Sequence, residues 1–221
     1  MANNNVSVLF AESLNEMGVT EKQKGVLLAS LELFSSKGFT QTSTRDIARM
    51  AGVSEGTVYK RFKTKDEILQ AILKPFIEQV FPKIANEFTG SVINTDYAEF
   101  SDLLRNMVTD RLMFALDNQK QILIMAQEAF TNRKVLEGLD RQIIDLIQGP
   151  LGQTLAFYQA KGQLVKWQPG RILRYIFSTL LGYILPAVLT TPEVQLDITE
   201  TVDEIMEFLL RGLTPDSGKQ S

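Results

Sequence analysis

The sequence predicts an all-α chain, with a short three-helix N-terminal head followed by a larger helical body. Three observations carry that expectation. Apolar residues recur at helical spacing through most of the 221 residues. Helix starts are marked at Thr20 with Gln23 and at Thr64 with Glu67, where a hydroxyl accepts from a free amide and the side chain three places on reaches back. No run alternates apolar and polar residues between hairpin turns, so no strand is expected.

The head's first helix is expected over 21–37. Val26, Ala29, Ser30 and Leu33 fall at i, i+3, i+4, i+7, with Leu27, Leu31 and Phe34 beside them. So wide an apolar face needs partners on more than one side. Gly38 ends the helix in the left-handed region, where a residue without Cβ meets no penalty. Two further helices, over 44–50 and 54–62, are too short to stand alone and must pack on the first. A fourth begins near Lys65 and kinks or ends at Pro75 or Pro82.

Longer helices are expected from residue 97 onward: 97–117, 119–130, 133–161 interrupted at Gly149-Pro150, 169–189, and 197–211. Asn118, Asn132, Gly162 and Thr190-Thr191-Pro192 separate them. The implied organisation is an extension over 1–19, a head over 20–66, a body over 67–213 and a frayed tail over 214–221. The extension has two acids and no base, so it makes a poor minor-groove arm. Its apolar residues Val8, Leu9, Phe10, Leu14 and Met17 either dock on the body or stay disordered.

Composition removes whole classes of chemistry. The chain has no cysteine and no histidine. Disulfides, thiolate nucleophiles, histidine-ligated metals and Ser-His-Asp or Cys-His dyads are therefore excluded. No acid–base pair stands out among Asp, Glu, Lys and Tyr, so neither an enzyme, a metal nor a cofactor is expected. The longest uncharged apolar run, 175–189, is shorter than the ~20 residues of a spanning helix. The expectation is a cytoplasmic protein with no membrane partner.

Net charge is −3, but it is unevenly distributed. Residues 20–65 hold nine basic and four acidic residues, a net +5. The remainder holds fourteen basic and twenty-two acidic ones, a net −8. A basic head on an acidic body suits a protein that offers one face to phosphate.

The stretch STRDIARMAGVSEGTVYKRF, residues 43–62, concentrates that charge. Val58 and Phe62 are four apart and share one helix face, with Val53 just before the Ser54 cap. Glu55, Gly56, Thr57, Tyr59, Lys60 and Arg61 must then face outward or sideways. In the preceding helix Ile47, Ala48 and Ala51 face in, and Arg45 and Arg49 face out. Gly52 lies where a tight turn needs a positive φ. The result is a surface of hydroxyls, a phenol and cations, suited to phosphate oxygens and base edges. Lys63 and Lys65 extend the positive strip. A solvated face on a structural helical hairpin is the competing reading.

The run from Lys22 to Leu73 closely resembles the N-terminal domain of TetR-family transcriptional regulators, most specifically in G-V-S-x-G-T-x-Y-x-x-F-x-x-K-x-x-x-L from Gly52. The resemblance implies that Thr44 and Arg45 touch the phosphate edge or a groove base. It puts Gly56 and Thr57 nearest the bases, and makes Tyr59 a phosphate-contacting phenol. It gives Lys60 and Arg61 the positions that set sequence preference, and makes Lys65 a phosphate anchor. Glu55 departs from this picture: a carboxylate beside DNA either accepts from cytosine or repels phosphate.

Beyond the head the likeness is one of architecture, implying a ligand-binding and dimerisation domain. Its candidate cavity residues are Phe100, Met107, Phe114, Met125, Phe130, Phe157, Tyr158 and Trp167, for which plain core packing is the alternative. Glu128 and Asp145 fall among apolar neighbours, where either would suit a cation, with plain exposure or pairing as the favoured alternative. The candidate dimer surface is the stripe Ile198, Val202, Ile205 and Leu209, with Ser178 and Gly182 allowing close approach on the preceding helix. A monomer buries the same stripe internally. The function implied is a homodimeric repressor, released from a palindromic double-stranded DNA operator by an apolar small-molecule effector.

Overall fold

The structure, a computed structural model, describes residues 5–189 and 197–215. Among them every regular element is helical. The helices are α1 Val6–Glu16, α2 Glu21–Lys37, α3 Thr44–Met50, α4 Glu55–Arg61, α5 Lys65–Pro75, α6 Phe81–Phe88, α7 Phe100–Asp117, α8 Gln119–Thr131, α9 Arg133–Gln148, α10 Pro150–Ala160, α11 Pro169–Leu189 and α12 Ile198–Leu213. Two compact units result. One comprises the described residues up to Ile84 with Asn118–Asp140; the other comprises Ala85–Asp117 with the described residues from Arg141 onward.

The first unit is built around α2. Thr20 and Gln23 form the expected reciprocal cap, and Gly38 ends the helix at φ 87°. Val26, Leu27, Ala29, Ser30, Leu31 and Phe34 are buried. That face meets α3, α5 and α8 as well as α1, which accounts for its width. Within the extension, Val6–Glu16 form an ordered helix rather than a disordered arm. Val6, Leu9, Phe10, Ser13 and Leu14 form its buried face, while Val8 and Met17 stay exposed. The Phe10 ring stacks on Phe76 with centroids 4.9 Å apart. The buried amide of Val6 donates to Asn118 Oδ1 at 2.8 Å, so a side chain outside the helix satisfies one of its orphan donors.

Pro75 does not end its helix. The chain runs on through a π-helical turn, Phe76–Val80, into α6, and a second such turn follows at Thr89–Ile93. Widening the coil by one residue accommodates a missing donor without breaking the rod.

In the second unit α7 packs against both α11 and α12. Its Leu103, Leu104, Met107, Val108 and Leu112 are buried together with Leu155, Leu164, Ile172, Ile176 and Leu180. Each such side chain contributes about 1.5–3 kcal/mol on burial. This arrangement corrects the expected dimer stripe. Val202, Ile205 and Leu209 lie inside this chain's own core, with Ile198 packed at its edge. The clean i, i+4, i+7, i+11 periodicity marks the inward face of α12, so these residues cannot face a second copy. Gly149-Pro150 separates two helices, with Pro150 opening α10 where no amide is needed. The Thr190-Thr191-Pro192 break lies outside the described residues. Within α11, Pro169–Val188 is long and apolar enough by length and composition to cross a membrane, at mean hydropathy 1.2.

Candidate nucleic-acid interface

The helix pair α3–α4 is fixed by caps and a turn. Ser43 accepts from the Asp46 amide at 3.1 Å while Asp46 accepts from the Ser43 amide at 3.2 Å. Asp46 also receives the Lys37 ammonium at 2.8 Å and the Arg49 guanidinium at 3.1 Å. The Lys37 ammonium, then the Ser43 hydroxyl and amide, hold its carboxyl well below the usual carboxylate range. Gly52 turns the chain at φ 66°, letting Val53 N–H reach the Ala48 carbonyl at 3.0 Å. Ser54 caps α4 by accepting from the Thr57 amide at 3.2 Å.

Ile47, Ala48 and Val58 are buried, which sets the rotation of both helices. Tyr59, Lys60, Arg61 and Gly56 are exposed and Thr57 is half-buried, as the helix period requires. Arg45 projects from α3 with its side chain 86% exposed. These six residues form one outward surface on the first unit.

Within that surface four side chains are joined. Thr44 Oγ donates to Glu55 Oε1 at 2.8 Å, and lies 3.0 Å from the Tyr59 hydroxyl. Arg45 Nε stands 3.8 Å from Glu55 Oε2. Glu55 therefore links the first turns of α3 and α4. The sequence leaves this carboxylate either accepting from cytosine or repelling phosphate; the structure adds protein partners, Thr44 and Arg45.

Lys65 requires a correction. Its ammonium donates to the carbonyls of Phe39 at 2.5 Å, Thr42 at 3.0 Å and Thr40 at 3.3 Å, and sits 4.4 Å above the Phe39 ring. An ammonium has three protons, and three carbonyls take them. Lys65 closes the α2–α3 loop and is not offered outward as a phosphate anchor. Next to it, Glu67 accepts from the Lys63 amide at 2.7 Å rather than from Thr64, so only half of the expected cap forms there.

The candidate cavity residues do not gather at one place. Phe100, Met107 and Tyr158 are buried in the second unit's core, and the Tyr158 hydroxyl donates to the Tyr97 carbonyl at 2.9 Å. Met125 is buried in the first unit. Phe157 is exposed, under the Lys161 ammonium. Phe114 lies under the Arg111 guanidinium, and Trp167 is covered by Arg171 at 3.8 Å. The Phe130 side chain lies outside the described residues. Burial, with Asp66 adding to it, pushes the Glu128 carboxyl up; Asp145 is exposed. Among the described residues no cluster of Asp and Glu could hold a metal ion.

Comparison with known proteins bears on the same segment. The family described as bacterial regulatory proteins, tetR family, matches residues 26–72. The HTH-type transcriptional regulator HbdR of Aromatoleum sp. (strain CIB) is 28% identical over 151 residues, covering 64% of this chain and 66% of its own. The chain spans 23–66% of the length of the curated relatives it matches. A protein of Mesorhizobium loti MAFF303099 assigned to the TetR-family regulators superposes with a TM-score of 0.66 at 17% identity, over 88% of this chain and 97% of that one. Bacillus subtilis FadR in complex with stearoyl-CoA superposes at 0.63 with 18% identity, over 85% and 97%. At these identities the likeness to solved structures speaks to the fold alone.

Proposed function

The chain belongs to the tetR family of bacterial regulatory proteins, and from that premise we propose that it is a homodimeric repressor that binds a palindromic operator and leaves it when a small apolar effector binds. One observation carries the DNA-binding part: Arg45, Gly56, Tyr59, Lys60 and Arg61 share one exposed surface on α3–α4, propped from behind by buried Val58 and Ile47. The surface belongs to the basic segment of an otherwise acidic chain, which supports attachment to DNA phosphates at this face of the protein.

A dimer places two such helices in successive major grooves, about 34–36 Å apart. The outward side of α11 supports pairing. Tyr175, Phe177 and Leu181 are exposed beside Ser178 and Gly182, and Phe208 on neighbouring α12 is 66% exposed. Two helices from each copy make a four-helix bundle over that apolar area. It also gives α11 a use for its apolarity in a cytoplasmic protein without a membrane.

The stearoyl-CoA held by the FadR structure supports an effector with a long apolar part. Such a molecule moves the equilibrium between DNA-fitting and non-fitting shapes only by its differential affinity for the two. The decisive experiment is an anisotropy titration of labelled duplexes from the chain's own promoter region. Wild type is expected to bind one of them in preference to scrambled DNA. Lys60→Ala/Arg61→Ala is expected to bind it at least tenfold more weakly. Equal affinity of wild type for every duplex would sink the assignment.

A further inference from the structure

The geometry points to Glu55 as a positioning residue that sets base specificity: its carboxylate aims the Arg45 guanidinium at a guanine and withholds the Thr44 and Tyr59 hydroxyls from phosphate. The inference rests on the DNA-binding reading above and goes beyond it, because it gives the acid that joins α3 to α4 a task in recognition.

Counting protons shows why. Thr44 has a single hydroxyl proton, and it goes to Glu55 Oε1 at 2.8 Å. The 3.0 Å contact between Thr44 Oγ and the Tyr59 oxygen must then be donated by Tyr59. Both protons therefore run inward, from Tyr59 to Thr44 to Glu55. Phosphate oxygens only accept, so neither hydroxyl has anything to give them while the relay stands. Arg45 differs. Its Nε lies on the Glu55 side at 3.8 Å, which leaves both terminal NH2 groups free on a side chain that is otherwise exposed. Two parallel donors from a guanidinium match guanine O6 and N7 in the major groove.

An exposed pair of this kind adds little to stability. In a groove emptied of water its effect is on choice. A duplex with guanine at the right place satisfies the aimed fork. One without it leaves a carboxylate beside phosphate and two hydroxyls already engaged. Glu55 thus weakens binding to wrong sequences more than to the right one.

Selection from a randomised duplex library, followed by anisotropy titrations across salt concentrations, tests this. Wild type, Glu55→Gln, Arg45→Ala and the double variant are compared on the selected site, on that site with one G·C pair replaced, and on a scrambled duplex. Glu55→Gln is expected to bind scrambled DNA more tightly. It should lose about tenfold in discrimination, concentrated at a single G·C pair. Its salt dependence should steepen by about one phosphate contact as Arg45 becomes free to leave the base. Arg45→Ala is expected to lose the preference at that same pair, and adding Glu55→Gln to it should cost nothing more there. Thermal melts of all four proteins should coincide within a few degrees. If Glu55→Gln selects the same sequences with the same ratio as wild type, the inference fails while the DNA-binding reading stands. If the double variant loses further discrimination at that pair, Glu55 reads the cytosine directly and the positioning role is wrong. If wild type selects no sequence at all, both readings fall.

Discussion

Single side chains in the first unit do work that their chemistry alone does not reveal. Asp46 closes the α3 cap and takes two cations, and its folded carboxyl titrates below the ordinary value of 3.8. A group so depressed stabilises the fold above that ordinary value, and the contribution is lost as pH falls from there through the folded one. Asp46→Asn is therefore expected to melt below wild type at neutral pH, with the gap closing as the pH drops beneath about 4; circular dichroism melts over that range check it. Lys65 makes the opposite kind of prediction from the one its motif position suggests. Lys65→Met strands the carbonyls of Phe39, Thr40 and Thr42 and should cost about 2 kcal/mol in urea unfolding. Unchanged stability with lost DNA affinity would restore the phosphate-anchor role.

Among elements, α1 and the α3–α4 turn each depend on one position, Phe10 and Gly52. The α1 helix has no basic residue, and its value is steric: Phe10 is fully buried against Phe76, and Asn118 receives the Val6 amide. Phe10→Ala should cost about 3–5 kcal/mol, read from the urea midpoint of the transition that includes the first unit. The turn depends on Gly52 at φ 66°, where a Cβ would meet no neighbour but would strain the backbone. Gly52→Val is expected to lose about 1–2 kcal/mol or more by the same measurement. These elements were unequally legible. The caps at Thr20, the ends of α2 at Glu21 and Lys37, and the limits of α3 at Thr44 and Met50 follow from local hydroxyl, glycine and apolar spacing. At Pro75 the sequence leaves a kink or an end open, because proline removes a donor; the π-helical turn that follows it packs against α1, a contact that local spacing does not encode.

For the whole molecule, burial of the α12 stripe in the chain's own core leaves a different face for the proposed dimer. A monomer and a dimer both want a regular apolar stripe, and periodicity does not say which owns it. Here Val202, Ile205 and Leu209 belong to the chain's own core, and the face left over holds Phe177, Leu181 and Phe208. Phe208→Asp is expected to give a monomer in sedimentation velocity with helix content intact, and to weaken operator binding by more than tenfold as the second half-site is lost. A dimer that survives this change would place the interface elsewhere.

The residue pattern by itself determined the helical class, the register of α2 to α4 and the outward set Arg45, Tyr59, Lys60 and Arg61, because these follow from periods and caps spanning only a few residues. The tertiary structure alone decided three things: that the extension is a docked helix, that Lys65 and Glu55 point at protein partners, and that the α12 stripe faces inward. Each depends on which groups far apart in the chain meet, such as Lys65 with Phe39 or Val6 with Asn118. A long flexible cation or carboxylate takes whichever acceptor or donor the fold brings within reach, and sequence spacing carries no record of that choice.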